Sequence, residues 1–236
     1  MENLKYKRVL LKISGEALAG TKGFGFDNLV MEDIVDTLKE IKRMGVEVAI
    51  VVGGGNFFRG RSTNKIKRTS ADYIGMMATV MNGIALRDVL ESSAVASFLV
   101  TASHIAGISS GYQEQDVMEA LGKGEVVIFA GGTGHPYFTT DTAAVLRALE
   151  IDADVILLGK SIDAIYSDDP KINKDAIKYD DITYDEVLEK DLKVMDITAT
   201  SMGRENNIPI QVFAIENPHN ILKILKGEKI GTSVHN

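Results

Sequence analysis

The protein has 236 residues, of which 45% are hydrophobic and 25% charged, enough for one sizeable core or two lobes that share a sheet. Lysine and arginine number 26 against 33 aspartates and glutamates, and the formal net charge of −7 disfavours a nucleic-acid binder with a large basic surface. The chain contains no cysteine, which excludes disulfides, zinc–thiolate sites and cysteine nucleophiles.

The N-terminal segment shows no apolar region followed by a small-residue cleavage site, so we expect no secretory signal and a cytoplasmic location. The longest uncharged stretch, Ser92 to Gln113, is long enough to cross a bilayer but is rich in serine and contains His104. We interpret it as a buried strand followed by a loop, and expect no membrane partner.

In the first two thirds of the chain, short β-branched or leucine-rich runs alternate with longer segments of helical period. The predicted strands are Val9–Ile13, Val48–Val52, Val95–Val100, Val126–Ala130 and Val155–Leu158. The predicted helices are Met31–Met44, Asp72–Leu90, Asp116–Leu121 and Thr140–Leu149. Apolar strands separated by helices indicate an α/β fold with a mostly parallel sheet covered on both faces.

After Leu158 the sequence becomes rich in aspartate, which suggests a boundary between lobes 1–158 and 159–236 on one continuous sheet, within a single structural domain. The elements predicted beyond it are helices near Tyr184–Glu189, Asp196–Asn206 and Pro218–Leu225, and strands Ile210–Phe213 and Gly231–Val234.

Glycines cluster where three predicted strands end, at Gly15, at Gly53–Gly55 and at Gly131–Gly134. The carboxyl ends of parallel strands form the ligand crevice of an open sheet, and glycine lets backbone N–H groups approach an anion there. Tight turns are the alternative for any single cluster, but three together favour a phosphate-rich ligand. Neither the P-loop pattern nor G-x-G-x-x-G is present, which disfavours a P-loop ATPase and an NAD-binding Rossmann enzyme.

Three charged residues near these glycines are candidates for chemistry. Lys12 lies in the apolar run VLLKIS, so it is either a phosphate clamp or a lysine that extends from a sheet edge. Asp141 follows Thr139 and Thr140 at a predicted helix start, where it could cap the helix, orient Lys12 or hold a metal. Arg59 could bind phosphate oxygens in bidentate fashion or be a solvated loop residue.

Asp72 could accept hydrogen bonds from a ribose or cap a helix, and the segment Tyr166–Pro170 could pack on an adenine or form a turn. The four histidines have no metal-ligand spacing and no G-x-S-x-G sequence occurs, so metallohydrolases and serine hydrolases lack support.

Together these residues form a pattern that resembles the bacterial uridylate kinases, UMP kinases of the amino acid kinase superfamily. The resemblance extends over almost the whole chain in order. It is carried by KISGEAL (12–18), VVGGGNFFRG (51–60), DYIGMMATVMNG (72–83), GGTGHPYFTTDTAA (131–144), DAIYSDDP (163–170) and VLEKDLKVMD (187–196).

The resemblance implies a three-layer α/β/α sandwich, a homohexamer, and transfer of the γ-phosphate of Mg·ATP to UMP, in pyrimidine nucleotide biosynthesis, with Mg²⁺ carried mainly by the ATP phosphates. It implies catalytic roles for Lys12, Asp141 and Arg59. The implied ATP-binding residues are Lys12, Ile13, Ser14, Gly15, Gly55, Arg59, Lys160, Tyr166 and Asp169. The implied UMP-binding residues are Gly54, Asp72, Thr133, Gly134, His135, Pro136, Tyr137, Phe138, Thr139 and Thr140.

Two positions depart from the family pattern, because His135 stands where asparagine is expected and Ala164 where glycine is usual. Two other functions stay open: a superfamily kinase that acts on a carboxylate or carbamate, and a regulatory protein that senses nucleotides with little catalysis. The segment Gly20–Gly25 also resembles a loop linked to activation by GTP, so GTP or UTP are candidate effectors.

Overall fold

The computed structural model describes residues 4–59 and 65–236. Within these ranges the principal sheet has eight strands in the order β3-β4-β2-β1-β5-β9-β10-β8. Its strands are β1 (Arg8–Ile13), β2 (Glu47–Val52), β3 (Ser97–Thr101), β4 (Val126–Ala130), β5 (Val155–Lys160), β8 (Asp181–Thr183), β9 (Ile210–Ala214) and β10 (Thr232–His235). All neighbours pair in parallel except β9 and β10, and β6 (Ile165–Tyr166) and β7 (Lys178–Tyr179) form a separate antiparallel hairpin.

Helices cover both faces of the sheet. They are α1 (Gly15–Ala19), α2 (Asn28–Arg43), α3 (Arg68–Ser92), α4 (Glu114–Gly122), α5 (Thr140–Glu150), α6 (Tyr184–Glu189), α7 (Ile197–Glu205) and α8 (Asn220–Leu225). One core cluster packs α1, α2, α3 and α8 against one face of the sheet. A second packs α4, α5, α6 and α7 against the opposite face. The predicted three-layer α/β/α architecture is confirmed.

The alternation of side chains along β1 explains how this core positions Lys12. Val9, Leu11 and Ile13 point into the first cluster, whereas Leu10 points into the second. Because successive side chains of a strand point to opposite faces, Lys12 lies on the same face as Leu10, beneath α5. The Lys12 charge is therefore placed near the end of a central strand, under the N-terminus of α5.

The predicted elements all occur, and most of them have ends that differ from the predicted ones. Helix α3 begins at Arg68, four positions before the predicted start, so Asp72 lies inside the helix and does not cap it. Helix α2 begins at Asn28 because the Asp27 carboxylate accepts a hydrogen bond from Leu29 N–H, at 3.1 Å. Helix α1 and the short strands β6, β7 and β8 were not predicted, because elements of two to five residues are too short to display a period.

The last strand ties distant parts of the chain together. Strand β10 lies between β9 and β8, and β8 has no other partner in the sheet. The buried Thr232 hydroxyl accepts a hydrogen bond from Ile165 N–H (2.8 Å) and donates one to the Tyr179 carbonyl. Both strands of the β6–β7 hairpin are thus attached to β10.

None of the helices in the described part of the chain combines the length and the apolar character needed to cross a bilayer.

Candidate active site

The glycine loops that follow β1, β2 and β4 meet at one edge of the sheet. A methyl group at Gly15 would lie 2.5 Å from the Gly55 nitrogen, and one at Gly53 would lie 2.8 Å from the Gly15 nitrogen. Glycine is required at such approaches, because a real Cβ atom does not fit there. Gly132 lines the same cavity as Gly54 and Gly55. The predicted convergence of the three loops is therefore present.

Lys12 and Asp141 form an ion pair at the centre of this edge. Lys12 Nζ lies 2.7 Å from Asp141 Oδ1, and the two side chains are 12% and 21% exposed. Asp141 occupies the first turn of α5, where a carboxylate interacts favourably with the helix dipole. The pair places a cation, held by a fixed carboxylate, between the loops of β1 and β4.

The start of α5 is held by Asp196, which was not among the predicted site residues, through two threonines. The Thr139 hydroxyl oxygen accepts hydrogen bonds from Asp141 N–H (3.0 Å) and Thr142 N–H (3.4 Å). The hydroxyls of Thr139 and Thr142 both donate to Asp196, which also caps α7 by accepting from Ala199 N–H at 2.9 Å. Asp196 thus connects α7 to the helix turn that carries Asp141, and the sequence signals for it were its place in the segment VLEKDLKVMD and at the start of a predicted helix.

An open cavity of about 370 Å³ lies between α3 and the loop after β4. Seven of the predicted acceptor-site residues line it, together with Gly55 and Arg59: Gly54, Asp72, Thr133, His135, Phe138, Thr139 and Thr140. Gly134 lines a smaller neighbouring cavity. Pro136 and Tyr137 belong to the same loop without lining the cavity.

Asp72 is already engaged by two neighbours in this cavity. Arg68 Nε donates to both carboxylate oxygens, at 2.8 and 2.9 Å, and the N–H of Tyr137 donates to Oδ2 at 2.8 Å. Tyr137 has φ = +73°, a strained value for a bulky residue, and its ring lies under the Arg68 guanidinium at 5.4 Å. The hydrogen bond from Tyr137 N–H to Asp72 therefore helps to hold Tyr137 at a positive φ, a backbone conformation that is unfavourable for a tyrosine.

A second cavity, of about 480 Å³, is lined by three of the predicted ATP-binding residues, Lys160, Tyr166 and Asp169. We call it the donor-side cavity. Lys160 Nζ donates to the carbonyls of Lys193 (3.1 Å) and Val194. Burial lowers the pKa of Lys160; the nearby charge of Lys12 lowers it further, whereas that of Asp141 opposes the shift. Lys160 is thus electrostatically coupled to the Lys12–Asp141 pair.

The other two predicted residues of the donor-side cavity, Tyr166 and Asp169, bond to neighbours that are close in sequence. Tyr166 donates its hydroxyl to Asp163 at 2.9 Å, a hydrogen bond that raises the pKa of Tyr166. The Asp169 carboxylate accepts from Lys171 N–H at 2.9 Å, as in a turn. Ala164, at the position where glycine was expected, is buried beneath this cavity.

Glu16 lies at the junction of two cavities and was not among the predicted residues. Its Oε1 lies 2.7 Å from Arg59 Nη2 and would lie 1.9 Å from a Cβ at Gly55, so the carboxylate rests directly on the glycine loop. Glu16 and Arg59 line both the acceptor-side cavity and a larger cavity of about 680 Å³ beside α1. Glu16 therefore holds the Arg59 guanidinium at the junction.

Two predicted ATP-binding residues have other partners. The Ser14 hydroxyl caps α1 by accepting from Ala17 N–H at 3.2 Å, while still lining the larger cavity. The Ile13 side chain is fully buried in the core, and its carbonyl accepts from Gly53 N–H at 2.8 Å. The structure thus places the Ile13 side chain beneath the site, and its predicted contact with ATP would have to come from the backbone.

Residues 7–214 match the Amino acid kinase family. The chain belongs to the amino acid kinase family. Almost its whole length is also similar to solved structures of uridylate (UMP) kinases. The UMP kinase from Bacillus anthracis is 38% identical, with a TM-score of 0.94 over 98% of this chain and 96% of that one.

Two further solved structures are similar to this chain. The UMP kinase from Ureaplasma parvum is 37% identical, with a TM-score of 0.92 over 98% of this chain and 100% of that one. The uridylate kinase from Archaeoglobus fulgidus is 28% identical, with a TM-score of 0.75 over 96% of this chain and 99% of that one.

Proposed function

We propose that this member of the amino acid kinase family transfers the γ-phosphate of Mg·ATP to UMP, giving UDP and ADP, in pyrimidine nucleotide biosynthesis. The observation that carries the proposal is the Lys12–Asp141 ion pair, 2.7 Å long, at the carboxyl ends of the parallel strands. The similarity of the whole chain to proteins described as UMP kinases supports uridylate as the acceptor.

In this proposal UMP occupies the cavity between α3 and the loop after β4, and ATP occupies the cavity beside Lys160, Tyr166 and Asp169. A phosphomonoester has a second pKa of about 6, so the UMP phosphate is already a nucleophile at neutral pH and needs no general base. The protein's task is to bring two polyanions together and to compensate their charge.

Three groups of this chain provide that compensation. The Lys12 ammonium lies between the loops of β1 and β4, Arg59 is paired with the Glu16 carboxylate that rests on Gly55, and the glycine-loop amides are small dipoles of the kind that bind anions. Asp141 orients Lys12. Glu16 orients Arg59, which is released toward the phosphates when they replace the carboxylate.

Magnesium fits this site as part of the nucleotide. Glu16 and Asp141 are hard oxygen donors of the kind that Mg²⁺ prefers, and each is already paired with a cation. The ion would be held mainly by ATP phosphates, with Asp141 the nearest carboxylate to Lys12, and it would neutralise charge that develops on the transferred group.

Two further proposals concern assembly and control. Tyr73, Ile74, Met77 and Met81 present a row of side chains on α3 that are 41–53% exposed, a surface suited to self-association in a homohexamer. The segment Gly20–Gly25 exposes Phe24 and is a candidate for regulation by GTP or UTP. Light scattering would measure the mass, and activity with added GTP or UTP would test control. With these substrates and no cysteine, we propose a cytoplasmic location.

The deciding experiment is phosphoryl transfer from Mg·ATP to UMP, CMP, dUMP, GMP, N-acetylglutamate and carbamate. Selective formation of UDP supports the proposal, whereas turnover of N-acetylglutamate or carbamate replaces it with a carboxylate or carbamate kinase. If no acceptor reacts but UMP or UTP binds, the protein is a nucleotide sensor on a kinase fold.

A further inference from the structure

Two asparagine side chains to which the proposed mechanism assigns no role lie face to face behind the glycine loop after β2. Asn56 follows Gly55 directly, and Asn82 lies in the middle of α3; they are 1% and 0% exposed. An amide in the apolar face of a helix costs free energy unless each of its polar groups finds a partner. The partners of these two side chains therefore show what they are there to hold.

Every side-chain N–H of the two residues has an acceptor. Asn56 Nδ2 donates to Asn82 Oδ1 (3.0 Å) and to the Gly25 carbonyl (2.8 Å). Asn82 Nδ2 donates to Asn56 Oδ1 (2.8 Å) and to the Gly53 carbonyl (2.6 Å). Four hydrogen bonds thus form a closed arrangement that fixes the orientation of both amides.

The bond to Gly53 determines where the next amide points. The described peptide bonds are all trans, and in a trans peptide the carbonyl and the following N–H point in opposite directions. Since the Gly53 carbonyl is directed at Asn82, the Gly54 N–H is directed away from it. Gly54 lines the acceptor-side cavity, and its N–H donates to no other residue in the described ranges.

The neighbouring peptide is held by different groups. The Gly54 carbonyl accepts from Phe57 N–H and Phe58 N–H, both at 3.1 Å, so the orientation of the Gly55 N–H depends on this turn and not on Asn82. The two glycine amides are consequently under separate control, one by a buried side chain and one by a local turn.

We propose that Asn82, oriented by Asn56, is a positioning residue that holds the Gly53–Gly54 peptide with its N–H toward the phosphate of the acceptor. This inference rests on the proposed function, because it takes the acceptor to be a nucleoside monophosphate. It assigns Asn82 to recognition of the acceptor phosphate without any contact to substrate.

The test uses Asn82→Asp, which keeps the shape but lacks the N–H donors, and Asn82→Leu, which fills the space with an apolar group. Asn206→Asp is the matched control, since Asn206 is exposed and donates to Met202 within its own helix. For each protein, kcat, both KM values, the melting temperature, and the Kd of UMP and of uridine are measured.

We expect both Asn82 variants to bind UMP about 10- to 100-fold more weakly, the range for loss of a hydrogen bond to a charged group, while uridine affinity stays close to that of the wild type. KM for ATP should change much less. A structural role alone would lower the melting temperature and leave the preference for UMP over uridine intact, which would overturn the proposal, as would an equal rise in both KM values.

The two variants fail to fold for different reasons, a buried charge in one and a lost polar network in the other, so either folded variant decides the question. If neither folds, the proposal is overturned in favour of a purely structural pair. Failure of the proposed function is separate, because it shows as absence of UMP binding and turnover by the wild-type protein.

Discussion

The acceptor-side and donor-side cavities are built in different ways. The acceptor side is formed by α3 and the start of α5, and its side chains bond to residues far away in sequence, as Asp72 does to Tyr137 and Thr139 to Asp196. On the donor side, two side chains are held by turns, where Tyr166 bonds to Asp163 and Asp169 to Lys171, and only Lys160 among the three predicted residues bonds to a distant segment. Substitutions of Asp72 or Thr139 should therefore affect residues far away in sequence, whereas substitutions of Tyr166 or Asp169 should stay local.

The largest effect is expected where the two sides meet. Lys12→Ala removes the cation between the phosphates, so kcat should fall by about 10²-fold or more, the scale for loss of one electrostatic contact to a transition state. UMP binding, measured by calorimetry, should survive because the cavity walls are unchanged. Lys39→Ala, at a half-buried lysine paired with Asp36 on α2, is the control. Near-normal turnover by Lys12→Ala would remove Lys12 from the mechanism.

Asp72→Asn tests how far an acceptor-side change extends. The substitution weakens the acceptor for Arg68 and for the Tyr137 N–H, so the strained loop should relax, and KM for UMP should rise about 10-fold, as for a lost hydrogen bond to a charged group. KM for ATP should stay within about twofold of the wild type. Steady-state kinetics with each substrate varied measure both, and Asp88→Asn on the same helix is the control. Equal changes in the two KM values would contradict the separation of the two sides.

Asp196→Asn tests the comparison at a contact between the two sides. Asp196 belongs to the predicted C-terminal lobe 159–236, but its carboxylate accepts hydrogen bonds at the start of α5, the helix that carries Asp141. Weaker bonds to Thr139 and Thr142 should loosen the first turn of α5 and lower kcat by about 3- to 10-fold, with a small loss of stability. Asp185→Asn, at an exposed residue paired with Arg204, should change neither. Unchanged kcat in Asp196→Asn would mean that α5 keeps Asp141 in place without this support.

The smallest effect concerns pH and Lys160. Burial lowers the pKa of Lys160, so its charge is lost at a lower pH than that of an ordinary lysine, and KM for ATP should rise by a few-fold at alkaline pH. The Lys160→Met variant should lack this dependence on pH, as measured by KM for ATP between about pH 7 and 10. An unaltered profile in the variant would assign the titration to another group.

The same shift has a consequence for stability. The folded protein binds the Lys160 proton less tightly than the unfolded chain, so this group contributes less stability at low pH, and the free energy of unfolding gains from it as pH rises through the folded pKa toward about 10.4. In denaturant titrations, the free energy of unfolding of the wild type relative to Lys160→Met should therefore increase as the pH rises.

Sequence reasoning performed well where a pattern is local. Hydrophobic period predicted the principal helices and five core strands, and an isolated lysine in an apolar run led to Lys12. It did not find Glu16, Asn82 or Asp196, since their importance lies in partners such as Arg59, Gly53 and Thr139, which are far away in sequence. Strands β6, β7 and β8 were missed because long-range pairing, and not propensity, makes them strands.

Strand β10 has a consequence for how the protein is made. A domain emerges from the ribosome at about 5–20 residues per second, N-terminal part first. Lys12 and Asp141 can meet early, but the β6–β7 hairpin and β8 wait for Thr232 and its strand. A nascent chain that stalls before Thr232 lacks these contacts, so we expect the cavity beside the β6–β7 hairpin to be completed after the cavity between α3 and the loop after β4.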